Sequence, residues 1–260
     1  MKFITLKKTA LVRLVVALVL VPCLCIGVTK ADAAGVYMGK TSRKLPIYSV
    51  ETEKKEVALS FDASWGAEKT PKILDTIKSY GVCANFFAVG FWAEKYADQL
   101  KALNDSGVFE IGTHSNTHPN MPKLSREKIR LELSESMRII ENIIGKKVDL
   151  FRAPFGDYSD ALLDEAQSLG LFTIQWDVDS LDWKGLSAGE MATRVLSRVQ
   201  NGSIILMHND GEHTVEALPL IIEGLKNKGY SFTTIGNLIY RENYYIDHTG
   251  RQIRSKDTYE

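Results

Sequence analysis

The sequence predicts an α/β fold, a single-domain, closed or nearly closed (β/α) barrel of about seven parallel strands. Two observations carry that expectation. From residue 57 onward short apolar runs alternate with helical patterns, and continuous apolar strands are what a parallel sheet covered by helices requires. The structural competitor is an open doubly wound sheet. It lacks support, because no G-x-G-x-x-G follows the first strand.

The elements follow in order. Residues 57–61 read as the first strand and 70–80 as a helix ending at Gly81. Residues 84–89 form the second strand, followed by one helix over 93–105. Residues 109–113 are the third; Ser125-Arg126-Glu127-Lys128 then opens a long helix that reaches Ile144 and is stopped by Gly145. Residues 149–152 make a fourth strand with a helix over 160–169, and 172–176 a fifth with a helix over 188–199. Residues 203–207 are the sixth, 215–228 its helix, and 231–235 the seventh. Around this barrel, assigned to residues 57–240, residues 34–56 are a short lead-in and the charged, polar residues 241–260 a loose C-terminal tail.

The 260 residues are 45% hydrophobic and 25% charged, the balance of an ordinary globular protein. Zero formal net charge gives no sign of a nucleic-acid-binding surface. Lys2, Lys7, Lys8 and Arg13 precede an apolar run over 14–28, and Ala31-Asp32-Ala33 is a small-x-small pattern. Residues 1–33 therefore read as a secretory signal cleaved after Ala33, or else as an uncleaved membrane anchor. Either way the rest faces outward, secreted or held at the cell envelope. Only Cys83 survives cleavage, which excludes an intrachain disulfide; beside the apolar 84–87 run it reads as a small core residue.

Polar residues stand where each strand stops. The first ends in Asp62, the third in His114 and His118, the fourth in Arg152-Ala153-Pro154-Phe155-Gly156. The fifth runs into Trp176 and then Asp179, Asp182 and Trp183, and the sixth ends in His208. In a parallel barrel these ends open on one face, so residues distant in sequence converge. Two histidines four residues apart share a face if the chain turns helical there, and both imidazoles then reach one cation. A bound Zn²⁺ polarises a carbonyl and acidifies its water. Asp62 sits where a base is wanted, with Arg152 as its partner. His208 has a suitable pKa to protonate a departing amine, and Asp182 can hold its imidazole. Trp183 offers a flat apolar face for a sugar ring. Each residue also has a purely structural use: a helix cap for Asp62, an ion pair for Arg152, turns for the aspartates, core for Trp183 and His208. Those uses would have to hold at every strand end at once.

Together these segments resemble the polysaccharide deacetylase family, the NodB-homology or carbohydrate esterase family 4 domain. The resemblance rests on Ser60-Phe61-Asp62-Ala63, the His114 to His118 stretch, Arg152 to Gly156, Asp179-Ser180-Leu181-Asp182-Trp183, and Ile205-Leu206-Met207-His208, in that order. It implies a distorted (β/α) barrel and metal-dependent removal of acetyl groups from N-acetylated sugars. It implies Asp62 as base, His208 as acid, Arg152 and Asp182 as the groups that tune them, and His114 and His118 as ligands to a divalent metal, zinc first. Pro154, Phe155, Gly156, Leu206 and Trp183 would line the substrate. One departure stands out: the family usually has a second aspartate, a metal ligand, where this chain has Ala63. The Ser64-Trp65-Gly66 that follows is similar to a branch linked to the spore envelope, which also tends to lack that aspartate. The expectation is a deacetylase of cell-wall glycan, peptidoglycan foremost. Its rival is a glycan-binding envelope protein that keeps the barrel without turnover.

Overall fold

The structure, a computed structural model, describes residues 43–255. The signal segment over 1–33, its cleavage position, the anchor alternative and the last tail residues lie outside the described residues.

Eleven short strands and eight α-helices alternate through the described residues. After β1 (Ser49–Val50), β2 (Glu56–Ala63) has every residue but Glu56 buried. Burial on both faces explains why it reads as an unbroken apolar run. The main sheet continues with β3 (Ala84–Ala88), β4 (Phe109–Thr113), β5 (Leu150–Phe151), β6 (Phe172–Thr173), β7 (Val178–Asp179) and β8 (Ile204–His208). Its order is β6-β5-β4-β3-β2-β8-β7, and every neighbouring pair is parallel. The seven-stranded barrel expected from the alternation is thus present as a curled parallel sheet. Register sets the site: Asp62 lies level with His208 on β8, and Thr113 with Phe151. His114 and Arg152, one residue further on, therefore leave their strands at one height.

The sheet is covered by α1 (Thr70–Ser79), α2 (Gly90–Lys95), α3 (Ala97–Asp105), α4 (Arg126–Ile144), α5 (Asp160–Ser168), α6 (Ala188–Arg198) and α7 (Thr214–Asn227), with the short α8 (Ile235–Leu238) after β9. The 19-residue α4 begins at Ser125, whose hydroxyl accepts from the Lys128 N–H, and ends at Gly145 in the left-handed conformation.

Four expectations are corrected. The helix expected over 93–105 is two helices, broken at Tyr96 (φ −120°, ψ 42°), whose ring packs 5.3 Å from that of the buried Trp92. The fifth strand keeps only two residues in the ladder, and the chain rejoins the sheet at its other edge as β7, within a segment expected as a loop. The seventh strand is the two-residue β9 (Ser231–Phe232), which pairs only with the start of β2. The loose tail is ordered through residue 254: β10 (Tyr244–Ile246) and β11 (Arg251–Arg254) form an antiparallel pair, and β11 adds β1 in parallel. Gln252 explains that order. It is fully buried, and its amide bonds both the N–H and the carbonyl of Tyr240.

Among the described strands β6 and β7 do not pair, and the lead-in crosses between their neighbours. Ile47 bridges Ile174 and Ser49 bridges Ser203. The Ile47 N–H donates to Thr173 (2.9 Å), its carbonyl accepts from Gln175 (2.7 Å), and Val50 N–H donates to Gly202 (3.0 Å). Gly202 has φ 78°, and a Cβ there would meet the Val50 carbonyl oxygen at 1.8 Å, so the strap requires glycine.

Candidate active site

The C-terminal ends of β2, β4, β5 and β8 enclose a cavity of about 160 Å³. Asp62, His114, His118, His208 and Asp210 line it, with Trp65, Phe155, Gly156, Trp176 and Leu206. A larger cavity of about 570 Å³ lies at the lead-in, bounded by Ile47, Leu163, Phe172 and Tyr244. It presents no carboxylate or imidazole, so chemistry and not volume selects the smaller one.

Asp62 is buried at the end of β2, and its Oδ1 accepts from Arg152 Nη1 at 2.8 Å. Burial alone would raise its pKa; the Arg152 charge, then His114 and His208, outweigh that and hold the carboxyl below its ordinary value. Arg152 is fully buried, donates also to the Gln175 carbonyl (3.2 Å), and lies 4.3 Å from the Phe87 ring centre and 5.6 Å from that of Trp176. Its Nε has no hydrogen-bond partner among the described residues.

The His114–His118 stretch does not turn helical, contrary to the spacing argument. Ser115 (φ 70°) and His118 (φ 58°) adopt left-handed backbone instead. That curl is held by the His118 N–H on Ser115 Oγ, and by the Glu132 carboxylate of α4, which accepts from the Asn116 and Thr117 N–H groups and the Thr117 hydroxyl. The two rings still end 5.0 Å apart. His114 Nδ1 lies 2.8 Å from the Arg152 carbonyl, which only accepts, so the proton is on Nδ1 and Nε2 presents a lone pair. Burial lowers the His114 pKa, against the pull of Asp62, and lowers that of His118 to about 4, helped by His114. Both imidazoles are neutral at neutral pH.

His114 Nε2 faces Asp62 Oδ2 at 3.6 Å. The His114 lone pair and the neutral His118 offer a cation two nitrogen donors, with the unprotonated Asp62 carboxylate facing them. The donor set suits zinc in kind but is short in number. Ala63 is buried beside Asp62, and among the described residues no three His, Cys, Asp or Glu side chains are gathered around one point.

On β8, His208 Nδ1 bonds Asp182 Oδ1 at 2.7 Å, while Asp182 Oδ2 accepts from the His208 N–H and the Thr214 hydroxyl. Burial would lower the His208 pKa, but the Asp182 bond and charge, with Asp62 and Asp179, raise it to about 9. Asp182 reaches this position from a short 3-10 turn after β7. Phe155 (φ 61°) and Gly156 (φ 70°) form another turn above the buried Pro154, which leaves the Phe155 ring 64% exposed and 4.6 Å from His118. A Cβ on Gly156 would meet the Trp176 ring at 2.8 Å.

Asp62, Arg152, Asp182, His208, His114 and His118 thus come together. Phe155, Gly156 and Leu206 line the cavity; Pro154, buried, and Trp183, with the Lys184 ammonium 4.7 Å over its ring, both stand outside its lining. Ser64, Trp65 and Asp210 also line the cavity and were missed, and Trp176, read as a strand end without a role, lines it too. Their only signal in the sequence was position, at or just past a strand end.

Residues 49–174 match the family model described as Polysaccharide deacetylase. The chain is 36% identical over 195 residues to a peptidoglycan-N-acetylglucosamine deacetylase of Bacillus cereus, covering 74% of this chain and 70% of that one. It is also 36% identical to YlxY of Bacillus subtilis, an uncharacterized protein, over 75% of this chain but only 60% of that one. Among solved structures, BA3943 of Bacillus anthracis, described as a CE4 family pseudoenzyme, aligns with TM-score 0.72 and 37% identity over 74% of this chain and 68% of that one. A mutant of it is described as having restored enzymatic activity.

Proposed function

Because this chain belongs to the polysaccharide deacetylase family, we propose that it removes acetyl groups from an N-acetylated cell-wall glycan, peptidoglycan foremost, outside the cytoplasmic membrane. The observation that carries the reading is the pairing of opposite protonation states across one cavity. Asp62 is kept ionised by Arg152, and His208 on the adjacent strand is kept protonated by Asp182. That is an acid and a base with their pKa values driven apart, as amide hydrolysis needs.

A divalent ion such as zinc, held by His114 and His118, would polarise the acetyl carbonyl and acidify the attacking water. The chain's own groups do the rest. Asp62 takes the water's proton. Arg152, locked in place, stops the carboxylate from rotating away and from keeping a proton at rest. His208 delivers its Nε2 proton to the sugar nitrogen as the C–N bond breaks, while Asp182 stabilises the imidazolium until then. Leu206 and Trp176 provide apolar wall for the acetyl methyl group.

A second reading, a glycan-binding envelope protein with little or no turnover, is favoured by Ala63 and the incomplete donor set. Acetate release decides between them, assayed on peptidoglycan fragments and chito-oligosaccharides with and without added zinc. The hydrolytic reading expects zinc-stimulated release, reduced at least about 100-fold in Asp62→Asn. Glycan binding without release at any zinc concentration supports the second reading. A kinship of Ser64-Trp65-Gly66 with the spore-envelope branch places expression during sporulation among the expectations of either.

A further inference from the structure

Resting on that reading, we propose that Trp65 and Phe91 form a second sugar subsite, which stacks the saccharide unit next to the one in the cavity. Four rings stand in a row along the rim. Phe91 and Trp65 are 6.2 Å apart, Trp65 and His118 5.1 Å, His118 and Phe155 4.6 Å. His118 is thus flanked by an aromatic on each side, and Trp65 and Phe155 both line the cavity. Phe91 contacts Trp65 but does not line the cavity, so the aromatic surface continues past the lining on the Trp65 side.

Trp65 is 59% exposed and Phe91 37%, an apolar surface that normally marks a place where something docks. The backbone beneath them is fixed. The Gly66 carbonyl accepts from the indole of buried Trp92 (2.6 Å) and from the Asn209 amide (2.9 Å). Gly90 and Phe91 N–H groups donate to the Ser115 and Asn116 carbonyls, so tightly that a Cβ on Gly90 would meet Asn116 Oδ1 at 2.2 Å. Rings held this way lose little freedom on binding.

Continuity with the cavity identifies the occupant. A pyranose has apolar C–H faces and hydroxyl edges, and Trp65 pairs an exposed apolar ring with the polar Ser64 and Asp210 that share the cavity lining. A polymer that places one sugar in the cavity has its next unit at this rim. Trp183, the other strongly exposed tryptophan, already carries the Lys184 ammonium over its ring, which leaves Trp65 as the freer platform.

The test measures binding to the full Asp62→Asn protein by calorimetry and tryptophan fluorescence, with N-acetylglucosamine and the chitin pentasaccharide as probes. Trp65→Ala is expected to weaken the pentasaccharide about tenfold while changing the monosaccharide much less. Trp65→Phe should recover most of the loss, and Phe91→Ala should show a smaller loss of the same length dependence. Equal losses at both lengths would mean that Trp65 acts only through His118 and would overturn the subsite. So would no loss, or no binding of either probe. If the wild-type protein releases no acetate but length-dependent binding through Trp65 persists, the subsite stands and the hydrolytic reading falls. Acetate release with a length-independent response overturns the subsite alone.

Discussion

His208 carries the clearest consequence at the scale of single residues. Its pKa is raised above the ordinary value of 6.5, so the Asp182 pairing contributes stability in full below that pH and loses it as pH rises through about 9. Asp182→Asn removes the charge that raises it, and the alkaline limb of kcat/KM should move down from near 9 by at least about one unit. An unchanged alkaline limb would take His208 out of the role of acid. Ala63 makes a second prediction. Ala63→Asp should tighten zinc binding about tenfold or more by calorimetry, at some cost in stability because the position is fully buried. Unchanged affinity would place the third donor elsewhere. Both pairs, Asp62 with Arg152 and Asp182 with His208, were legible in the sequence because opposite charges at strand ends have few other uses. Trp65 and Asp210 were not, because a lining position is a product of tertiary convergence and leaves no local pattern.

Among elements, the ends of α4 could be read from the chain because caps are local chemistry: Ser125 satisfies an orphan N–H and Gly145 accepts the left-handed turn. The break at Tyr96 could not, since it answers to Trp92 packing beneath it and not to a helix-breaking residue. Nor could β7, whose two residues are too few for any periodicity. The helical reading of the His114–His118 stretch failed for a related reason: a side chain from another element shapes the loop. Glu132 accepts three hydrogen bonds from it. Glu132→Ala should therefore cost about 1–3 kcal/mol and loosen both imidazoles. Faster amide exchange over 114–118 and a zinc affinity lowered about tenfold are the expected readouts; unaltered exchange there would show that the loop holds itself.

For the molecule as a whole, the alternation of apolar runs and helical patterns sufficed for the sheet, but not for how its open side is filled. Residues 34–56 had no periodicity to suggest that Ile47 and Ser49 bridge separate strands, or that β1 joins β11. These are contacts between distant parts of the chain, each made by one or two residues. Ile47 and Val50 are buried, and each such side chain is worth about 1.5–3 kcal/mol. A protein beginning at residue 51 should melt several degrees below one beginning at residue 43, by calorimetry. Equal melting points would show that the strap is dispensable.

The Arg152 guanidinium lies between the Phe87 and Trp176 rings with Asp62 as its anionic partner, and neither charge has more than a few per cent of its surface open to water. Dissolved electrolyte screens exposed charges over roughly 8–10 Å of solution, but it has no path between these two. The readiness of the carboxylate is thus insulated from the ionic strength of the medium.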